Sequence, residues 1–249
     1  MKDLARNSLR QDSPMRISRY LLLANPTGIV HKFWRCHNRA YLMDSDSTKA
    51  LYLKSTEIGL KHRSSDGRIL LQAYCVMGNH SHQILKYSGG ADFLSRFMRV
   101  AHGEFGRIFN KIFNRSGKVA NERPRTVVVQ ETDESQMRAH MYVEANPIRA
   151  GMRKFENLQF YRFSSFRFYA YGILDEFTRL LVPPEWYLRL GRTADERQKK
   201  YRSLFQAYLG KDKAAPADYL KQFIGEVNWC LGQIKKIREL ARNARAGPA

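Results

Sequence analysis

Cysteine is scarce in this chain, with Cys36, Cys75 and Cys230 the only three among 249 residues. They are odd in number, far apart and lack a C-x-x-C partner. That excludes a disulfide framework and a cysteine-based zinc site, and it points to a reducing compartment. Long hydrophobic runs are missing too. The longest, such as Leu21–Ala24 and Ile69–Leu71, fall far short of the roughly 20 residues that span a bilayer. The N-terminus through Arg19 is polar and basic, so it has no apolar stretch of the secretory-signal kind. Acids are also few, 23 against 43 Lys and Arg, which leaves a net charge of +20. That excess goes beyond the needs of solubility and calls for a polyanion, either nucleic acid or an anionic membrane surface. The basic residues are spread along the chain rather than gathered in one tail. This favours a basic folded face on nucleic acid over a polybasic membrane anchor.

What is present is enough for a core: 43% hydrophobic residues, with 14 Phe and 13 Tyr. Residues 1–27 carry Arg6, Arg10, Arg16 and Arg19 and read as a basic arm, either ordering on a phosphate backbone or a solvated terminus. Ile29–Arg35 is rich in β-branched and aromatic residues and reads as a strand. Ser45 and Ser47 can cap a helix over Thr48–His62, with Leu51, Leu53, Ile58 and Leu60 as its apolar positions. After a turn at 64–67, Ile69–Met77 and Ser81–Tyr87 form a pair of strands. Past Gly89-Gly90, the residues Phe93, Phe97, Ala101, Phe105, Ile108 and Ile112 mark an amphipathic helix. Arg96, Arg99, Arg107 and Lys111, together with His102, fall off that face, as a solvated surface or as phosphate contacts.

Asn114–Arg125, which includes Arg123, is a basic loop, and Thr126–Gln130 is a short strand. A helix then runs from Asp133 to about Ala145 and stops ahead of Pro147. The aromatic–basic stretch from Phe160 through Tyr161, Arg162, Phe163, Phe166, Arg167, Phe168 and Tyr169 to Tyr171 suits base stacking or a core layer with outward Arg, and the phenylalanines favour the core. Thr193 and Glu196 form a capping box for a helix to Leu209, with a stripe of Tyr201, Leu204, Phe205 and Tyr208. A last helix spans about Ala217–Arg242, with Phe223, Val227, Leu231 and Ile234 on one side. The element order implies an α+β fold, a ferredoxin-like antiparallel sheet with flanking helices, followed by a helical C-terminal extension.

The chemistry concentrates in two blocks. Tyr74-Cys75-Val76-Met77-Gly78-Asn79-His80-Ser81-His82 places a Gly-Asn turn between two strands, expected to be a tight hairpin with positive φ. Alternation puts His80 and His82 on one face, with Ser81 and Ile84 assigned to the other. Two imidazoles at i and i+2 can share a divalent cation, or they can be strand histidines without a ligand. In the second block, Tyr142 and Asn146 lie one helical turn apart on one face. An amide oxygen suits a hard cation, and a phenol can act as a nucleophile. A helix-borne Tyr can also be plain packing.

Taken in order, Gly28-Ile29-Val30-His31, the His-x-His block and Tyr142-Val143-Glu144-Ala145-Asn146-Pro147-Ile148-Arg149-Ala150-Gly151 resemble the single-tyrosine HUH transposases, and within them the REP-associated tyrosine transposases. The resemblance runs from about Gly28 to Ser165. It implies the HUH endonuclease fold over residues 28–172 and an extension over 173–249. It also implies Mg²⁺ or Mn²⁺ on His80 and His82 with Asn146 as third ligand, and Tyr142 attacking a phosphodiester of single-stranded DNA beside a hairpin. The product would be a 5′-phosphotyrosine and a free 3′-OH, with no nucleotide cofactor. Arg16, Arg19, Arg35, Arg96, Arg99, Arg107, Lys111, Arg123, Arg125 and Arg149 become the expected DNA contacts, and the bacterial cytoplasm, at the nucleoid, the expected location. The short link from Gln130 to Asp133 favours use of the Tyr helix in cis. The family usually has a bulky apolar residue where Ser81 stands and Pro where Gly78 stands. Many relatives carry a Trp-Gln-Gly-Arg-Phe-like stretch where residues 120–125 lie. Two rival readings remain, a non-cleaving binder of DNA or RNA hairpins and a nuclease with no covalent intermediate.

Overall fold

The computed structural model describes residues 19–65, 67–120, 122–211 and 222–246. Residues 1–18, and with them Arg16, lie outside the described residues. A four-stranded antiparallel unit forms the centre: β1 (Thr27–Arg35), β2 (Ile69–Val76), β3 (His80–Ser88) and β4 (Arg125–Val129). Their order across the sheet is β2-β3-β1-β4, and β5 (Phe223–Ile224) joins the β4 edge in parallel. With α2 (Asp46–Lys61) between β1 and β2, and α3 (Ala91–Ile112) between β3 and β4, this is the expected ferredoxin-like α+β arrangement, with helices on an antiparallel sheet.

Local chemistry explains most boundaries. The Ser45 hydroxyl accepts the Thr48 amide and caps α2. Thr132 does the same for Ser135 at the start of α4 (Asp133–Glu144). Pro147 falls in the first turn of the short helix α5 (Asn146–Arg149), where its missing N–H costs nothing. The capping box is present: Thr193 Oγ1 accepts the Glu196 amide, while Glu196 Oε2 accepts the Thr193 amide, opening α8 (Ala194–Lys211).

The two faces of the sheet carry different chemistry. On one, Lys32 and Trp34 of β1 and Ser81 and Gln83 of β3 meet Tyr52 of α2 and His102 of α3. Trp34 stacks on His102 at 5.3 Å and lies 5.3 Å from Tyr52. Ser81, where the family resemblance leads one to expect a bulky side chain, donates to the Tyr52 hydroxyl at 2.6 Å. Tyr52 also receives the buried Lys32 ammonium at 2.6 Å, and Lys32 reaches Gln83 Oε1 at 2.8 Å. The other face carries His31, Phe33, His80, His82 and Ile84 and is covered by α4. Ile84 therefore shares the imidazole face, because it stands two residues on from His82.

Several expected details shift. The Met77-Gly78-Asn79 link has no positive φ at Gly78 or Asn79. A Cβ at Gly78 would sit 2.8 Å from the Tyr41 ring and 2.9 Å from Asp44 Oδ1, so these two exposed side chains would have to shift to admit one. In α2 the buried face is Tyr52, Leu53, Ser55, Thr56 and Gly59, while Ile58 is exposed. Gly59 lets α3 approach so closely that a Cβ would lie 2.9 Å from that of Ala101. In α3 Phe109 is buried in place of Ile112, which is exposed, and His102 turns inward onto Trp34. Phe223 is in β5 and not in the last helix, α9 (Val227–Ala246). That helix buries Cys230 and Ile237 and exposes Val227 and Leu231. At the end of the supposed arm, α1 (Arg19–Leu22) packs Leu21 and Leu22 against this same cluster.

The aromatic–basic stretch is mainly core. Tyr161, Phe163, Phe166 and Tyr169 are buried and Phe160 is exposed. Arg162 and Arg167 are paired with Glu176 and Asp175 at 2.7 and 3.2 Å. The helices α6 (Phe166–Tyr171), α7 (Glu185–Leu188) and α8 pack together through Phe166, Tyr169, Trp186, Tyr201 and Phe205, and these join the main core. Among the described residues no helix is long and apolar enough to cross a membrane.

Candidate active site on the imidazole face

Strand register assembles three imidazoles. His31 on β1 pairs across with Ile84 on β3, so His82, two residues away, is its diagonal neighbour on the same face. The two rings meet edge to edge, nearly coplanar, with centroids 5.0 Å apart and His31 Nε2 2.8 Å from His82 Nδ1. His80 follows at the open end of β3, its ring 5.1 Å from that of His82 and nearly perpendicular to it. Phe33 walls the group at 4.9 Å from His82 and 5.6 Å from His80.

Helix α4 lays Tyr142 over this group. Its ring is 5.6 Å from His31 and 5.8 Å from His82, edge-on to both, and it is half-buried. One turn on, the Asn146 amide nitrogen donates to the carbonyls of Tyr142 and Val143 at 3.0 and 2.9 Å. These bonds cap the helix end and orient Oδ1 away from those carbonyls. Arg149 places its guanidinium 4.4 Å over the Tyr142 ring and donates to the Tyr208 hydroxyl of α8 at 2.6 Å.

Electrostatics keep the imidazoles neutral. Burial holds His31 down to about 4, helped by the Lys32 ammonium. Burial and then Arg35 hold His80 to about 4. His82 lies well below the ordinary value, through burial and then His31, His80, Arg35 and Arg149. At neutral pH each ring therefore offers one lone pair. For His80 the ring nitrogen is assigned by its neighbour. Asn79 uses Nδ2 to donate to the Arg39 carbonyl at 3.1 Å, so its Oδ1 accepts His80 Nδ1–H at 2.6 Å, and the Nε2 lone pair remains.

Among the described residues no three His, Cys, Asp or Glu side chains form a cation cage of their own. A cation here would draw on His80 and His82, the Asn146 amide oxygen, and oxygens of substrate or water. The donor set is mixed: neutral imidazoles are transition-metal ligands, and an amide oxygen with water suits hard cations such as Mg²⁺ or Mn²⁺.

The basic residues divide. Arg35 and Arg149 border the imidazoles, and Arg35 also lies 4.9 Å over Phe33. Arg19 donates to the Pro124 carbonyl at 2.8 Å, beside exposed Arg123 and Arg125. Arg96, Arg99, Arg107 and Lys111 are exposed on α3, across the sheet from the imidazoles, and Arg107 is held by Glu104 at 2.7 Å.

Three participants were not legible as site residues: His31 as partner of His82, Phe33 as a wall, and Tyr208 as the anchor of Arg149. Gly28–His31 belonged to a motif, yet only the β1–β3 register reveals the diagonal pair. Tyr208 comes from a helix that the sequence gives no reason to bring here. No protein-family model and no curated protein matches the chain. Among solved structures, a REP-associated tyrosine transposase bound to a REP hairpin matches at 20% identity and a TM-score of 0.44, over 59% of this chain and 82% of that one.

Proposed function

We propose that this protein cleaves and rejoins single-stranded DNA beside hairpins, through a covalent bond between Tyr142 and the 5′ phosphate. The observation that carries this reading is the Tyr142 ring lying edge-on to His82 and His31 at 5.8 and 5.6 Å, with Arg149 stacked on it. The net charge of +20 supports a polyanionic substrate.

The Tyr142 oxygen attacks the scissile phosphorus, the bond to the 3′ oxygen breaks, and the phenol proton passes by way of solvent to the departing oxygen, so the strand leaves with a free 3′-OH. The phosphodiester energy stays in the tyrosyl ester, so a 3′-OH attacking that phosphorus rejoins the strand with no nucleotide cofactor. His80, His82 and Asn146 would hold a divalent cation, Mg²⁺ or Mn²⁺, which would supply charge neutralisation at the phosphate oxygens. Arg149, fixed by Tyr208, orients the phenol ring and adds positive charge where the phosphate arrives. Asn146 caps the end of α4 through the Tyr142 and Val143 carbonyls, which leaves its Oδ1 as the candidate ligand atom. Arg35 and Phe33 offer the strand a cation and an aromatic face at the rim.

The test is an end-labelled hairpin oligonucleotide incubated with the full-length protein and Mn²⁺, then run under denaturing conditions. A protein–DNA adduct that disappears in Tyr142→Phe is the expected result. Cleavage that survives Tyr142→Phe identifies a nuclease without a covalent intermediate. Hairpin binding with no cleavage at any Mn²⁺ concentration identifies a silent binder.

A further inference from the structure

His80 and His82 both engage their Nδ1 atoms away from the proposed cation side, but with different partners. His80 Nδ1 faces an amide oxygen, which can only accept, so its proton position is fixed. His82 Nδ1 faces His31 Nε2 at 2.8 Å, and that bond is satisfied by a proton on either nitrogen. The two arrangements are not equivalent. A proton donated by His31 would place the remaining His82 proton on Nε2 and deny a cation its lone pair. A proton donated by His82 frees Nε2.

We infer that His31 is a positioning residue for His82: its Nε2 accepts the His82 Nδ1–H, and so sets the His82 Nε2 lone pair toward the cation. This rests on the two-imidazole cation site proposed above. A cation on His82 Nε2 requires that direction, because a neutral ring has one lone pair, and the pair is built to hold it. Burial of both rings leaves the proton little chance of passing to water. The two rings meet edge to edge with their planes 16° apart, which keeps the acceptor nitrogen near the plane of the donor ring, where the N–H points. A ligating histidine usually gives its second N–H to a carboxylate, a carbonyl or water. Here a third histidine takes that role, so the support for the ligand strand comes from the neighbouring strand of the sheet and needs no acid in a site built for phosphate.

Two measurements test the inference. Long-range ¹H–¹⁵N correlation spectra of the metal-free full-length protein should show His82 protonated on Nδ1 and bare on Nε2, with His31 protonated on its own Nδ1. A His82 signal with the proton on Nε2 overturns the inference. Calorimetric titration with Mn²⁺ alone should then show His31→Leu binding roughly 10–100-fold more weakly than the wild type. His31→Gln, whose amide oxygen can accept, should recover most of that loss, while unfolding midpoints confirm that both variants fold. Equal Mn²⁺ affinity in the Leu variant overturns the inference, as does a wild-type protein that binds no Mn²⁺. A chain that binds Mn²⁺ in this pattern but forms no DNA adduct refutes the proposed cleavage and leaves the role of His31 intact.

Discussion

Glu144 sits on α4 two residues after the candidate nucleophile and is fully buried. Ser165 Oγ lies 2.5 Å from Oε1 and the Tyr201 hydroxyl 2.6 Å from Oε2. Burial pushes its carboxyl up from the ordinary 4.5 to about 8, although both hydroxyls pull it down. The folded protein therefore holds a proton that the unfolded chain gives up above pH 4.5. Stability from this group is fully present below that pH, declines as pH rises through about 8, and is then flat. At about 1.36 kcal/mol per pH unit, the loss is roughly 3 kcal/mol at pH 7 and on the order of 5 kcal/mol above pH 8. Glu144→Gln keeps the shape and an accepting oxygen without the titration. The stability of the variant relative to wild type should therefore rise by roughly 1.4 kcal/mol per unit between pH 5 and 8.

The buried histidines act in the opposite sense. His31 at about 4 and His140 at about 3 are held down by burial, so their contribution is lost as pH falls below the ordinary 6.5. They are present in both proteins and cancel in the difference. Urea unfolding followed by circular dichroism, at constant ionic strength, reads the difference directly. Parallel pH profiles for the two proteins would refute a protonated Glu144.

Three further outcomes follow from the packing and charge. Gly59→Ala should destabilise the fold by about 1–3 kcal/mol, because the new methyl meets Ala101 and Phe97 at 2.9 and 3.1 Å. That outweighs the helix-propensity gain of about 1 kcal/mol, and an unchanged urea midpoint would show that α2 and α3 can separate freely. Arg149→Ala should slow adduct formation by roughly tenfold or more, since Tyr142 loses the group that orients its ring. Single-turnover rates at saturating DNA check this, and an unaltered rate would remove Arg149 from the chemistry. Arg35→Ala should lower the salt dependence of hairpin binding by about one phosphate contact, whereas Arg99→Ala, across the sheet, should leave the slope as it was. Equal slopes for the two variants would mean that the DNA does not approach from the imidazole face.

Features encoded within a few residues were legible in the sequence. The β2–β3 strand pair, the Ser45 cap and the Thr193/Glu196 box each depend on neighbours along the chain. Features set by what packs opposite were not. Ile58 and Ile112 have the right residue type at near-helical spacing, yet the buried face of α2 is chosen by Gly59, where α3 crosses. The Gly78-Asn79 pair promised a turn with positive φ, and the link instead keeps ordinary φ values with Tyr41 and Asp44 packed close against the glycine. His82 could be read as a ligand from its spacing to His80. Its tie to His31 required a strand register, because diagonal neighbours on two strands share nothing in sequence. Glu144 escaped for a similar reason, since its hydroxyl partners are 21 and 57 residues away.

Among the described residues both sides of the four-stranded sheet are partly covered. Beyond β4 runs β5, drawn from a part of the chain almost a hundred residues later. Beyond β2, the backbone of the 163–182 stretch takes up the ladder, with Val76 donating to Phe163, Ser165 to Tyr74 and Val182 to Leu71. A second copy adding a strand at Val128–Gln130 or at Leu71–Val76 would first have to peel one of these covers away. Removal of the chain beyond residue 221 would strip β5 from β4 and leave the Val128 and Gln130 amides open to pairing with another chain.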